Sequence, residues 1–371
     1  STRNTTTFAA TSSSPHSSLL TSTAISVETV AEPTNREGEK LGLTMAAIVP
    51  GRIVSLAAVA ALLAAVSCPG CVEAVLSTKY YDKTCPGLQP MVRSAMAQAV
   101  AAEPRMGASV LRLFFHDCFV NGCDGSVLLD DAPGLTGEKG AGPNLGSLRG
   151  FEVVDAVKAR VEAACNATVS CADVLALASR DAVSLLGGPA WTVKLGRKDS
   201  RTASQAAANA NLPGPGASLA SQLASFAAKG LSARDMTALS GAHTVGRARC
   251  QTFRGRVNGG DANVNATFAA QLQQGCPATN GVGDSGLAPL DAETPDGFDN
   301  GYFRGLAQQR GLLHSDQELF NGGSQDALVR KYAGNGGMFA SDFARAMVKM
   351  GSLEPATGTP VEVRINCRKP N

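Results

Sequence analysis

A mainly α-helical fold is what this sequence predicts, and three observations carry it. Alternating β-branched runs are scarce, limited to short pieces such as Trp191 to Leu195 and Val361 to Ile365. Apolar residues recur instead at helical spacing through several Ala-rich stretches. Ser232 followed by Asp235 has the pattern of a capping box opening a further helix.

Taken in order, Met91 to Ala102 is Ala-rich and amphipathic, so one face is available for a core. Ala108 to Phe119 carries Leu111, Phe115 and Phe119 at intervals of four, again an apolar stripe. The helix opening at Ser232 is expected to run to about Gly246, with His243 on the face of Met236 and Leu239. Phe339, Phe343, Met347 and Met350 form the last stripe. Asn211-Leu-Pro-Gly-Pro215 and Asn280 to Leu290 read as loops, and no repeat of fixed period is visible.

The 371 residues are 44% hydrophobic and 17% charged, the composition of a globular chain with a sizeable core. That length suits two domains or one large one. A net charge of +2 without a dense basic stripe excludes nucleic acid as a partner. Residues 1–44 hold eighteen Ser or Thr and no acidic residue before Glu28. They read as a disordered leader or an over-extended reading frame ahead of Met45, although such a composition also suits an organellar transit peptide.

Residues 45–74 read as a secretory signal peptide: Arg52, the 14-residue run Ile53 to Val66, then small residues at a cleavage site, with the mature chain starting near Val75. The run is short of the roughly 20 residues that span a bilayer, so no stable membrane insertion is expected. Cys68 and Cys71 have redox spacing but lie in the tail of this signal, outside a strand–helix context. Eight cysteines remain for the exported chain, which implies four disulfides and leaves their pairing open. Asn166-Ala-Thr168 and Asn265-Ala-Thr267 are glycosylation acceptors, expected on exposed loops.

Chemistry concentrates in Leu111-Arg-Leu-Phe-Phe-His-Asp-Cys-Phe-Val-Asn-Gly-Cys-Asp-Gly-Ser126. On a helix Arg112 and His116 share a face and can act on one small ligand. The guanidinium disfavours imidazolium, so His116 is expected to be a neutral base while Arg112 supplies donors for developing negative charge. Asp117 and Asp124, with Gly122 and Ser126, offer oxygens around a loop that a Cys118–Cys123 bridge would tighten, a setting for a hard cation such as calcium. A zinc reading of His116, Cys118 and Cys123 needs reduced thiols and lacks a fourth ligand. His243 sits on an apolar face, where a histidine is usually a core residue. The same presentation suits a haem ligand, and Gly241 and Ala242 would let a flat macrocycle approach.

Together these segments resemble the class III haem peroxidases, the secretory plant enzymes. The resemblance runs from Tyr80-Tyr-Asp-Lys-Thr-Cys-Pro86 through Val169-Ser-Cys-Ala-Asp173, Leu195-Gly-Arg-Lys-Asp-Ser200 and Ala238 to Gly246, to Ser315-Asp-Gln-Glu-Leu-Phe320 and Asn366-Cys-Arg368. It implies two helical domains with one haem b in the crevice between them: a distal part, 75–214 with 335–371, and a proximal part, 215–334. His243 matches the axial iron ligand and Asp316 the carboxylate taking its Nδ1 proton. Arg112, Phe115 and His116 match the distal pocket, Asn144 the partner of His116, and Pro213 a carbonyl that positions donors.

The family's two Ca2+ sites carry over onto Asp117, Val120, Gly122, Asp124 and Ser126, and onto Thr244, Asp291, Thr294, Gly297 and Asp299. Its disulfides would join Cys85 to Cys165, Cys118 to Cys123, Cys171 to Cys367 and Cys250 to Cys276. The implied function is reduction of hydrogen peroxide to water, with phenolic donors oxidised in two one-electron steps through a ferryl haem intermediate. A secreted, extracellular monomer of the cell wall or apoplast is expected, since no long sorting extension follows Cys367. Gly216-Ala217 stand where relatives carry aromatic residues, so a less aromatic donor rim is expected. His314 matches no catalytic position and is read as structural. A wall glycoprotein that kept the fold for binding is the alternative, and Arg112, His116 and His243 argue against it.

Overall fold

The computed structural model describes residues 76–371, so the leader, the signal peptide and its cleavage site lie outside the described residues. Helix α1 (Leu88–Ala102) buries Leu88, Val92, Ala95, Met96 and Val100, a stripe spaced by threes and fours. Helix α2 (Arg105–Asn121) is buried almost all round, with Leu113, Phe114, Cys118 and Phe119 sealed from solvent. Along residues 110–120 only Arg112 and Phe115 are half-open. Phe115 packs against the core with Phe119, 4.8 Å between ring centroids, while part of its ring stays open on the face that α2 leaves uncovered.

Helix α3 (Phe151–Ala164) precedes α4 (Cys171–Leu185), whose first turn is capped by Ser170 accepting from the Asp173 N–H. α4 is apolar on nearly every side and packs against α1 and α2. A short β1 (Asp199–Ser200) follows, then α5 (Gln205–Asn211) and α6 (Leu219–Ala228).

Helix α7 (Ala233–Ser240) starts on the expected capping box of Ser232 and Asp235. It stops at Ser240 rather than near Gly246, and Gly241–Thr244 continue as a 3₁₀ turn. The rings of Phe303 and Phe339 occupy the space a Cβ of Gly241 would need, so the backbone is pressed close to them there. His243 consequently leaves the buried face of Met236 and Leu239, and its side chain is 38% exposed.

The chain continues through β2 (Arg247–Arg249), α8 (Cys250–Gly255), α9 (Ala266–Gln273) and β3 (Leu287–Pro289). It proceeds through α10 (Gly301–Ala307), α11 (His314–Gln317) and α12 (Asp326–Gly334), and α13 (Gly336–Met350) returns to the larger apolar core. Phe339, Phe343, Met347 and Met350 are all buried on α13, as their spacing predicts. A strand hides in the stretch read as a loop: β3 pairs antiparallel with β2, a partner from which forty residues separate it in sequence and which no local pattern reveals. Trp191 to Leu195 makes only an isolated bridge, Leu195 with Ser77, whereas β4 (Val361–Glu362) pairs with β1. No helix among the described residues is long and apolar enough to cross a membrane.

Four disulfides fasten the chain: Cys85–Cys165, Cys118–Cys123, Cys171–Cys367 and Cys250–Cys276. Beside the third, Arg364 and Asp199 are both fully buried. Arg364 donates to the carbonyls of Cys367 (2.8 Å) and Gly125 (2.6 Å), while the Asp199 carboxylate accepts from the N–H groups of Cys171, Ala172 and Arg364. Asp173 likewise gathers the Tyr81 hydroxyl (2.9 Å) and the Arg197 guanidinium (2.7 Å). Four of the sequence segments that carry the family resemblance, Tyr80–Pro86, Val169–Asp173, Leu195–Ser200 and Asn366–Arg368, therefore meet in buried polar networks where the carboxylates face guanidinium groups.

Candidate active site

The half-open face of α2 positions the distal residues. Arg112 is held by the 143–147 segment, donating to the carbonyls of Pro143 (3.0 Å) and Ser147 (3.1 Å) and to the Ser147 hydroxyl. His116 meets Asn144 at 2.6 Å, Nδ1 to Oδ1. The Asn144 amide nitrogen donates to the Glu138 carbonyl at 2.8 Å, so its Oδ1 must be the acceptor and His116 Nδ1 the donor. In the neutral ring Nε2 is then a lone pair. Burial, followed by the Arg112 charge, holds the His116 imidazolium well below the usual histidine range, with the Asn144 bond opposing. Burial thus outweighs the guanidinium that the sequence emphasised. Arg112 itself is pushed down to about 10 by burial and by Arg249. The Phe115 ring stands edge-on to His116, 5.6 Å between centroids.

On the proximal side, His243 Nδ1 meets Asp316 Oδ1 at 2.7 Å. Asp316 is 2% exposed and accepts two further bonds, from the Tyr302 hydroxyl (3.1 Å) and the Leu313 N–H (2.9 Å). An imidazole with Nδ1 committed to a carboxylate and a partly open ring can offer only Nε2 to a metal, which is the form a haem ligand takes. The turn after His243 packs against α2. A Cβ on Gly246, three residues past His243, would stand 3.2 Å from the Ala108 Cβ, on the same α2 face as Arg112 and His116.

Two oxygen-rich clusters accompany the histidines. In the first, Asp117 Oδ2 accepts from the Gly125 N–H (3.0 Å) and Asp124 Oδ1 from the Ser126 N–H (3.0 Å). Asp117 Oδ1 is buried without a hydrogen-bond partner among the described residues. Burial and then Asp124 hold the Asp117 carboxyl well above its ordinary range, and burial raises Asp124 too, so the pair lacks positive charge. That deficit fits a hard divalent cation. The Val120 carbonyl already accepts from Lys229 Nζ at 2.8 Å, leaving only its second lone pair for a cation. Gly122 has φ +97°, and a Cβ there would strike the Glu354 backbone, so the loop admits no side chain at that position.

In the second cluster the Thr244 and Thr294 hydroxyls both reach the carboxylates of Asp291 and Asp299, at 3.0–3.3 Å. Gly297 closes the turn by donating to the Thr294 carbonyl. Each cluster has two carboxylates with hydroxyls and carbonyls, and no group of three His, Cys, Asp or Glu able to hold a metal occurs among the described residues. The Cys118–Cys123 bond removes the thiolates that a zinc reading requires.

Pro213 lies half-buried in the loop after α5, which is tied to α11 by the Ser315 N–H donating to the Pro215 carbonyl. His314 bonds Asp261 through Nδ1 at 2.8 Å, away from the His243–Asp316 pair. Asn166 is exposed, whereas Asn265 is half-buried and caps α9 by accepting from the Phe268 N–H, which corrects the expectation of two exposed loops. Three contributors escaped the sequence reading: Ser147, Tyr302 and the Glu138 carbonyl. Glu138 is also buried, and its carboxyl is pushed up to about 7 by that burial.

A mainly helical scaffold that fixes two histidines through Nδ1, each by its own acceptor, fits the peroxidase class. A sequence model described as "Peroxidase" matches residues 92–335. Peroxidase P7 of Brassica rapa subsp. rapa is 57% identical over 296 residues, 80% of this chain and 100% of that protein. Peroxidase 22.3 of Oryza sativa subsp. japonica is 55% identical, covering 84% and 96% of the two chains, and Peroxidase 4 of Vitis vinifera is 54% identical, covering 81% and 94%. The chain belongs to the peroxidase family, in its class III plant branch, and is a haem peroxidase acting on hydrogen peroxide.

Proposed function

We propose that the chain is exported to the extracellular wall space, carries glycans on Asn166 and Asn265, and works as a monomer. It uses one haem b and two calcium ions to reduce hydrogen peroxide at the expense of phenolic donors. The distal part comprises 75–214 with 335–371 and the proximal part 215–334, and haem would be held between them. His243 would hold the iron, and Asp316 would strengthen that ligand by accepting from its Nδ1–H. Asp117, Val120, Gly122, Asp124 and Ser126 hold one calcium, and Thr244, Asp291, Thr294, Gly297 and Asp299 the other.

When bound, haem supplies the iron centre that takes up peroxide and stores the oxidising equivalents which donors remove one electron at a time. His116 takes a proton from peroxide at Nε2 and returns it to the oxygen that departs as water. Asn144 keeps that nitrogen basic by accepting the Nδ1 proton. Arg112 directs its guanidinium at the negative charge that develops as the oxygens separate. Phe115 narrows the pocket, and the Pro213 carbonyl orients the donor hydroxyl at the rim.

One observation carries this reading: two imidazoles from different halves of the chain, each with Nδ1 bound to its own acceptor, at 2.6 Å and 2.7 Å. The test is a visible spectrum of the purified protein, followed by addition of peroxide and guaiacol. A Soret band with rapid guaiacol oxidation is expected. No Soret band, or haem without donor oxidation, overturns the reading.

A further inference from the structure

We propose that Tyr302 is a positioning residue that sets how far Asp316 draws the Nδ1 proton of His243, and so how strongly His243 would donate to iron. The proposal rests on the reading of His243 as the iron ligand. Its basis is a competition at one oxygen atom. Asp316 Oδ1 accepts both the His243 N–H, at 2.7 Å, and the Tyr302 O–H, at 3.1 Å. The other oxygen accepts the Leu313 N–H at 2.9 Å, a backbone bond that substitution at residue 313 leaves in place. His243 is the only basic side chain within salt-bridge distance of Asp316 among the described residues. The phenol is thus the one side chain besides His243 that shares the charge of this carboxylate.

Tyr302 is placed for that role and little else. It lies on α10, 3% exposed, with its ring edge-on to His243 (6.0 Å, 88°) and against Phe303 (5.0 Å). Its hydroxyl donates to Asp316 Oδ1 and to no other acceptor among the described residues. Each hydrogen bond donated to a carboxylate oxygen lowers that oxygen's pull on a second donor. Tyr302 therefore restrains the imidazolate character of His243, and phenylalanine at 302 would release the restraint while keeping the packed ring.

The experiment uses the haem-loaded protein and its Tyr302→Phe variant. The expected result is an upward shift of the iron–imidazole stretching frequency in the resonance Raman spectrum of the ferrous form, with a lower Fe(III)/Fe(II) midpoint potential. Neither shift should appear when Tyr302→Phe is made in an Asp316→Asn background. Unchanged frequency and potential, or the same shifts without the carboxylate, overturn the proposal. Should Tyr302→Phe fail to load haem, fluorotyrosine incorporation into the otherwise unaltered protein provides a second test. A more acidic phenol is expected to lower the frequency, and an unchanged frequency overturns the proposal. Absence of a Soret band from the unaltered protein refutes the haem reading itself, and the Tyr302 proposal falls with it.

Discussion

Replacing Asn144 with valine removes the acceptor that holds His116 Nδ1 at 2.6 Å, inside a pocket where His116 is only 6% exposed. Water has little access to replace it. A buried N–H left without its partner costs about 1–3 kcal/mol. That cost is avoided if the proton moves to Nε2, the nitrogen that must be free to accept from peroxide. At about 1.4 kcal/mol per factor of ten, the rate constant for the reaction with peroxide should fall about 5- to 150-fold. His116→Ala removes the proton shuttle itself and should cost roughly 10²–10⁴-fold or more with haem retained. Stopped-flow absorbance in the Soret region, with peroxide in excess, gives both constants. If Asn144→Val stays within about twofold of the parent, or loses well beyond about 150-fold, the assignment of Asn144 as the residue fixing the tautomer is wrong.

Because burial and Arg112 keep His116 unprotonated well below 6.5, the peroxide reaction should hold its rate as pH drops through that value. Arg112→Leu removes the depressing charge, so the acid limb should move to higher pH, and a limb that stays put or moves lower contradicts the electrostatics. Chelation of calcium should leave Asp117 and Asp124 without their counter-ion, loosening α2 and lowering activity while far-ultraviolet circular dichroism persists. Full activity after verified metal removal rejects that site. Replacing Cys171 and Cys367 together with serine opens a bridge of sequence separation 196, for which loop closure predicts a loss of up to about 5 kcal/mol. An unchanged urea midpoint would show that the buried Arg364 network holds the C-terminal segment unaided.

What could be read in the sequence divides along physical lines. Arg112 and His116 were legible because a four-residue step on a helix puts two side chains on one face. The α13 stripe and the Ser232 cap were legible for the same local reason. Asn144 was not, since it reaches His116 from a loop 28 residues away and only the family resemblance pointed to it. The Glu138 contribution to Asn144 is a backbone carbonyl, which no residue type encodes. The close packing at Gly241, just past the end of α7, is against Phe303 and Phe339, rings that arrive from much later in the chain. β3 was hidden because strand formation there depends on finding β2. Tyr302 was passed over because a tyrosine beside a helix start carries no signal until Asp316 is seen next to it.

The contact between Arg364 and the Gly125 carbonyl spans 239 positions of the sequence. A ribosome adding about 5–20 residues per second needs roughly 10–50 s to cover that span. Throughout that interval α1, α2 and α4 can pack on one another, yet the loop at Gly125 has no guanidinium behind it and Cys171 has no thiol to pair with. The part of the molecule made first is therefore finished last, and a nascent chain stalled before Arg364 lacks both the Gly125 contact and the Cys171–Cys367 bridge.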